Sequence, residues 1–490
     1  MNILKKNLNF DEIIGIGLFI LSIILLLVML VLGLNQALWL DEVYTINLIA
    51  LSFKLMLLTT AGDVHPPLYY IILKSISMIL PHPVSLNIIL YKLVSVVPLV
   101  LLLYFSLIKL RKDFGWLTAG IFGFCIITMP KMMIYGIQIR MYSWVMFFLT
   151  MSFYYFYKIS KQPNNKNWII FTIFSLLAAY THYYGTIAIA FIYLFMILKN
   201  KNLIKTWILS SVTIVLFYIP WVFIFLKRTV FGDNQWHIPT FQDVIDVIGF
   251  IFSPHYHDYD MTELGILFFI IFIILIIYYI FQISKDKKNS STLINEGFFI
   301  LVVTTSFALL FSALIRPMFY AKYVFVVIGC FWLSFSILLS KIHLRRMIFV
   351  PILIFIIVIG LFNSVTFLSS ENTSKIAELE FKNYLNQIGE NDTIIYIGPH
   401  LMIKFFDFYL INKTFVVWTN SSSDIMNINE GLKKGKVWVF DNDANGFPEL
   451  YGGLSLFNNT LIENGLKLDK IGEIKSIKYM TYPRYMYIVS

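Results

Sequence analysis

The chain has 490 residues, of which 58% are hydrophobic and 13% charged, and its formal net charge is +10. Soluble domains hold about 45–50% apolar and roughly 25% charged residues, so a soluble protein built round one core is excluded. The excess positive charge falls in short tracts between apolar runs rather than on one basic face, which argues against a nucleic-acid-binding role.

A membrane span needs about 20 apolar residues. Such runs recur at about 13–34, 86–108, 114–129, 133–157, 168–181, 183–198, 206–226, 262–283, 294–315, 319–340 and 347–369. The first is too long for a signal-peptide core and lacks a small-residue cleavage site, so it reads as a retained span. With residue 1 on the cytoplasmic side, the inner loops carry Lys5/Lys6, Lys109/Arg111/Lys112, Lys158/Lys161/Lys166, Lys199/Lys201/Lys205, Lys285/Lys287/Lys288 and Lys341/Arg345/Arg346. That bias toward basic cytoplasmic loops fixes an orientation in which eleven crossings leave the tail outside. Cys125 and Cys330 both fall inside spans and form no disulfide or metal signature.

Two outer loops then stand out, at about 35–85 and 227–261. The first reads Leu38-Trp39-Leu40-Asp41-Glu42-Val43-Tyr44-Thr45, continues as an interfacial amphipathic stretch, and ends in Asp63-Val64-His65-Pro66-Pro67-Leu68-Tyr69-Tyr70. The second holds Asp233, His237, His255, His257, Asp258 and Asp260, without strict metal-ligand spacing. After Leu368 the composition turns polar. Strand-like runs at Thr393–Ile397, Phe415–Trp418, Lys436–Phe440 and Tyr485–Val489 alternate with helical patterns at Ile376–Ile388 and Met402–Leu410. This predicts a small α/β domain over 370–490 beside a membrane domain over 1–369, with no Gly-rich phosphate loop.

Asp41 and Glu42 are adjacent carboxylates at the outer mouth of the first span, where one can act as a general base or both can end a helix in water. Asp63 and His65 suit a divalent cation, a substrate phosphate, or a plain interfacial pair. Lys131, Arg140, Arg316 and Lys322 break the inner-loop rule, lying at or near outer span ends, and His182 faces the same side. Arg140 falls about 13 Å along a helix from Lys131. A charge at that depth either snorkels, pairs structurally, or faces a polar cavity. Cations gathered there fit an anion, and a lipid-borne phosphate meets them at the correct depth.

The two loop motifs, in this order, resemble those of the lipid-linked-sugar-dependent GT-C glycosyltransferases. They are most like bacterial and archaeal members of the protein O-mannosyltransferase type (glycosyltransferase family 39), with aminoarabinose transferases as relatives. Gln138-Ile139-Arg140-Met141-Tyr142-Ser143 is similar to the family's Arg-x-Tyr span, and Thr181-His182-Tyr183-Tyr184 to its Thr-His-Tyr turn. Arg316-Pro317-x-x-Tyr320-Ala321-Lys322-Tyr323 is similar to a late span start that usually reads Arg-Tyr, with Lys322 here in place of the Arg. The likeness covers about residues 10–345.

The resemblance implies a polytopic α-helical GT-C membrane protein with about eleven transmembrane helices and an extracytoplasmic α/β tail. It implies transfer of a sugar, with inversion, from a polyprenyl-phosphate donor to an extracytoplasmic glycan, lipid or protein hydroxyl. Asp41 would be the base, supported by Glu42. Arg140, Lys322 and Tyr323 would hold the donor phosphate, with Asp63 and His65 near the reacting centre. Lys131, Tyr142, His182 and Arg316 complete the expected substrate-binding set. Some relatives bind a divalent metal and others need none; Asp63 and His65 are the pair to hold one. The tail lacks the β-trefoil-type insert of eukaryotic protein mannosyltransferases, and the Trp-Trp-Asp signature of oligosaccharyltransferases is absent. A lipid-linked-sugar flippase is the competing reading, although transporters favour midplane sites between repeats and no repeat is visible.

Overall fold

The computed structural model describes residues 9–34, 37–79, 84–231, 238–254, 259–285, 292–341, 346–397, 409, 414–418, 422–441, 453–474 and 484–490. It divides into two units: Met1–Leu34 with Leu51–Phe367, and Asn35–Ala50 with Leu368–Ser490.

In the first unit, α1 (Phe10–Gly33) opens on a capping box. Asn9 accepts from the Glu12 N–H at 2.8 Å, and Glu12 accepts from the Asn9 N–H at 3.1 Å. The second unit contributes α2 (Leu40–Ala50). Next come α3 (Phe53–Ala61), α4 (Leu68–Ile79), α5 (Val84–Phe105) and, after a π-helical turn, the short α6 (Arg111–Phe114). They are followed by α7 (Trp116–Thr128), α8 (Met132–Ile137), α9 (Tyr142–Lys161), α10 (Asn165–Thr181), α11 (Tyr183–Lys199), α12 (Ile204–Phe231) and α13 (Phe241–Phe252). The last four helices begun in this unit are α14 (Glu263–Lys285), α15 (Thr292–Leu314), α16 (Phe325–Lys341) and α17 (Arg346–Leu385).

Apart from one break, the apolar runs expected to span are helical, and the chain is a multi-pass membrane protein. Among the described residues, seven helical stretches have the length and composition to cross a membrane: Phe10–Gly33, Asn87–Phe114, Lys201–Ile224, Glu263–Lys285, Leu293–Leu314, Ala321–Lys341 and Arg346–Leu385. Trp116–Thr128 and Tyr183–Lys199 are apolar but shorter. One expectation needs correcting: 133–157 is not a single helix. α7 stops ahead of Pro130, and Lys131 then takes a left-handed backbone (φ 66°). The short α8 ends at Gln138, whose backbone is extended, and α9 begins only at Tyr142. Arg140 therefore lies in a helix break, not partway along a helix.

Lipid tails are as apolar as leucine, so these helices associate through close packing and polar contacts. α1 and α7 meet at Gly15 and Gly120, where a Cβ on either glycine would overlap the other helix's backbone. α16 is buried from Phe325 to Leu339 and packs on α7, α9 and α15, so the unit is built round it. The outer faces of α12 and α14 leave Leu209, Phe217, Phe223, Ile274 and Ile277 exposed, as lipid-facing surfaces do. Near the basic tracts, Asp113 accepts from Tyr154 at 2.6 Å and Lys158 at 3.1 Å, and Lys199 pairs with buried Glu296.

The second unit holds a five-stranded sheet in the order β2-β1-β3-β5-β4. Here β1 is Thr393–Ile397, β2 Thr414–Val417, β3 Val437–Asp441, β4 Leu468–Glu473 and β5 Tyr485–Val489. β1 pairs in parallel with β2 and β3, while β5 runs antiparallel to both β3 and β4. The helices α18 (Ser422–Lys434) and α19 (Gly453–Glu463) pack Ile428, Phe457 and Leu461 against Ile395, Val439 and Val489 of the sheet. Asp392 joins β1 to β3 by accepting from Lys436 N–H at 2.8 Å and Trp438 Nε1 at 2.9 Å. Four strands fall where the sequence places them; β4 is the addition. Its Leu-Asp-Lys-Ile-Gly-Glu run lacks apolar alternation and takes strand form by pairing with β5. The expected helix at Met402–Leu410 lies outside the described residues except for Tyr409.

Candidate active site

Three irregular backbone segments of the first unit bring the polar residues together. The first is the turn between α3 and α4. Gly62 and Asp63 N–H groups donate to the Thr59 and Thr60 carbonyls, closing α3, and Pro66 and Pro67 then lead into α4. His65 is buried in this turn. Tyr70, in the first turn of α4, donates its hydroxyl proton to Asp63 Oδ2 at 3.1 Å. The Tyr70 oxygen in turn accepts from Arg140 Nη1 at 3.5 Å. Arg140 comes from the second irregular segment, the break between α8 and α9, where its own N–H donates to the Gln138 carbonyl at 2.6 Å.

The third segment is a single residue. His182 ends α10, with its N–H on the Ala178 carbonyl, and caps α11 with its side chain in an extended backbone. The His182 Nδ1 accepts from the Tyr184 N–H at 3.1 Å. An accepting Nδ1 carries no proton, so the ring is the neutral tautomer with hydrogen on Nε2.

These segments meet in a ring cluster. His65 and His182 have centroids 4.8 Å apart, and Tyr323 lies 5.2 Å from His182 and 6.2 Å from His65. Tyr184 lies 4.9 Å from Tyr323, and Tyr142 6.1 Å from His182. Tyr323 and Lys322 arrive on a 3-10 turn (Ala321–Val324) just ahead of α16, and α13 packs on that turn. The Lys322 ammonium lies 5.8 Å over the Tyr320 ring and 6.0 Å over Tyr323. Upstream, Ser312 accepts from the Met318 and Phe319 N–H groups at 2.7 and 2.9 Å, and Tyr184 donates to the Met318 carbonyl at 3.3 Å.

The cluster sets two cations, Arg140 and Lys322, and one carboxylate, Asp63, round two neutral imidazoles. Burial first, then His182, Arg140 and Lys322, hold the His65 pKa well below the ordinary imidazole value. Burial, then Arg140 and Lys322, push His182 down to about 3. His65 Nδ1, His182 Nε2 and the Tyr142 hydroxyl are buried with no hydrogen-bond partner among the described residues. Buried polar atoms in that condition are rare and point to a ligand or water.

Of the residues expected from sequence, Asp63, His65, Arg140, Tyr142, His182, Lys322 and Tyr323 come together. Lys131 lies one ring away, with its ammonium 5.6 Å over Tyr259, whose hydroxyl meets that of Tyr135 at 3.2 Å. Tyr135 in turn lies 5.1 Å from Tyr142. Gly249 of α13 makes room for this arm: its Cα faces the Tyr259 carbonyl with no space for a Cβ. Arg316 is buried at the end of α15, on the loop leading to Tyr320. Asp41 and Glu42 belong to the second unit, in the first turn of α2. Glu42 is buried and accepts from the Trp39 N–H at 2.9 Å, which makes it a helix cap; Asp41 is partly exposed. Asp233, His237, His255, His257 and Asp258 lie outside the described residues.

Tyr70, Tyr184, Tyr135 and Tyr259 join the site without being among the residues expected from sequence. Tyr70 and Tyr184 sit inside the quoted motifs, so their position beside Asp63 and His182 was the available signal. For a divalent metal the donor set is a poor fit. Among the described residues no group of three or more His, Cys, Asp or Glu side chains is placed to hold a metal ion. The charges that act on His65 and His182 are those of Arg140 and Lys322, which disfavour a cation beside the two rings.

This architecture, with irregular polar segments buried among apolar helices, is that of the GT-C fold. No family model and no curated protein matches the sequence. Among solved structures, ArnT from Cupriavidus metallidurans in the apo state is similar, with a TM-score of 0.53 and 10% identity over 87% of both chains. ArnT from the same organism bound to undecaprenyl phosphate gives a TM-score of 0.57 and 10% identity over 96% of this chain and 98% of that one. At that identity the likeness is one of fold, and it spans both the membrane helices and most of the tail, 96% of the chain in the second case.

Proposed function

We propose that the chain is an inverting membrane glycosyltransferase that moves a sugar from a polyprenyl-phosphate donor to an extracytoplasmic acceptor. The observation that carries this reading is the convergence of Arg140 and Lys322 on two buried neutral histidines in a GT-C fold. Arginine and lysine side chains set beside neutral imidazoles suit a phosphate, and a polyprenyl lipid delivers one from the bilayer. One protein of this fold is seen with undecaprenyl phosphate bound. The inner-loop bias of Lys and Arg puts the site and the tail on the outer side.

In this mechanism Arg140, Lys322 and Tyr323 hold the phosphate, and Tyr70 links Arg140 to Asp63. Asp41, taken from the family resemblance, receives the acceptor hydroxyl proton as that oxygen attacks the anomeric carbon from the face opposite the phosphate. The bond from that carbon to the phosphate oxygen breaks, its electron pair stays on the oxygen, and polyprenyl phosphate departs. Glu42 supports Asp41 by fixing the first turn of α2. No step needs a metal. The test is transfer from defined polyprenyl-phosphate sugars by wild type and Asp41→Asn in the same lipid. Release of polyprenyl phosphate by wild type alone supports the assignment; equal release by both removes Asp41 from the mechanism.

A further inference from the structure

His182 has one nitrogen fully committed and one uncommitted, and the difference carries an inference that rests on the donor-phosphate reading above. Nδ1 is held as an acceptor by the Tyr184 N–H at 3.1 Å. Nε2 therefore carries the hydrogen, yet it is buried and meets no acceptor among the described residues. The rings round it are His65 at 4.8 Å, Tyr323 at 5.2 Å, Tyr184 at 5.6 Å and Tyr142 at 6.1 Å. The charges acting on it are those of Arg140 and Lys322. A buried N–H left unpaired is destabilising, and an acceptor placed among two cations is most simply an anionic oxygen.

We propose that His182 binds the donor as a neutral imidazole, its Nε2–H donating a hydrogen bond to a phosphate oxygen of the lipid-linked sugar. Charging the ring would put a second proton on Nδ1, directly against the Tyr184 N–H that already points there. His182 is thus neither a third cation nor a proton-transferring acid. It stabilises charge on the phosphate as the sugar leaves, and keeps its proton throughout. Tyr184 is the positioning residue, because its backbone N–H selects the tautomer.

Two substitutions separate this role from helix capping. Asn at position 182 is a good cap acceptor but its short amide does not reach the Nε2 position. Gln carries an N–H close to that position and caps poorly. The experiment measures binding of undecaprenyl phosphate to the full chain in nanodiscs, with the thermal midpoint of each variant as the readout of the cap. The expected result is that His182→Asn weakens binding about tenfold or more while His182→Gln weakens it about threefold or less, even though Gln lowers the midpoint more. Binding by His182→Asn equal to wild type, or equal loss in both variants, overturns the donor role and leaves the cap alone. Absence of binding by wild type overturns the phosphate reading itself, and this assignment with it.

Discussion

Arg140 and Asp63 are joined through a single hydroxyl: Tyr70 donates to Asp63 at 3.1 Å and accepts from Arg140 at 3.5 Å. The guanidinium sits in a helix break and the carboxylate in a turn, so neither has a regular helix to hold it. Tyr70→Phe removes the link while keeping the ring that packs 6.1 Å from Tyr69. The expected outcome is a KM for the lipid donor raised by about three- to tenfold with a smaller change in kcat, since two hydrogen bonds to charged groups are lost, the one from Arg140 being long. Steady-state kinetics with a defined donor checks it.

Lys322 stands where the resembling family usually has Arg. A lysine offers a point charge and an arginine a planar fork, so Lys322→Gln should weaken donor binding about tenfold and Lys322→Arg should keep or tighten it. Arg140→Lys should cost more than Lys322→Arg, because it gives up both the fork and the bond to Tyr70. Donor titrations on the three variants check the order.

His182 has a folded pKa of about 3, depressed by burial and then by Arg140 and Lys322. The unfolded imidazole titrates near about 6.5, so below that pH the unfolded chain binds the extra proton and the folded chain does not. Its contribution to stability is complete above about pH 6.5 and is lost as pH falls toward about 3. His65, depressed by burial and the same cations, acts in the same direction. Melting of the purified protein should therefore drop between neutral pH and about pH 5, and the drop should be smaller in His182→Gln than in wild type.

Gly15 and Gly120 let α1 and α7 touch backbone to backbone. Gly120→Val places a branched side chain where α1 runs, and overpacking of this kind costs about 1–3 kcal/mol or more. The expected outcome is a lower yield of monodisperse protein and a lower melting temperature, read by size-exclusion chromatography and thermal unfolding; Gly17→Val, where a Cβ meets open space, is the control.

The spans were legible because twenty-residue apolar runs leave little choice of structure in a bilayer. The break at Gln138–Met141 was not, because Ile137, Ile139 and Met141 keep the run apolar across it and no Pro or Gly falls within it. Within the candidate site, charged residues and histidines stood out against an apolar background. Tyrosines did not: with 29 in the chain, Tyr70, Tyr184 and Tyr259 carry no contrast until their hydroxyls and rings are placed. The tautomer of His182 was likewise invisible, since it depends on one backbone N–H two residues on. The grouping of α2 with the tail is a tertiary fact that no local pattern in residues 35–50 announces.

The central claim is that this site cleaves a lipid-linked sugar and does not merely carry it across the bilayer. One proteoliposome experiment measures both polyprenyl phosphate release and transbilayer movement of the same polyprenyl-phosphate sugar, with wild type and Arg140→Gln. The account predicts release by wild type, inverted configuration in the product, and loss of release in Arg140→Gln. Movement of intact donor without release, unaffected by Arg140→Gln, would contradict it.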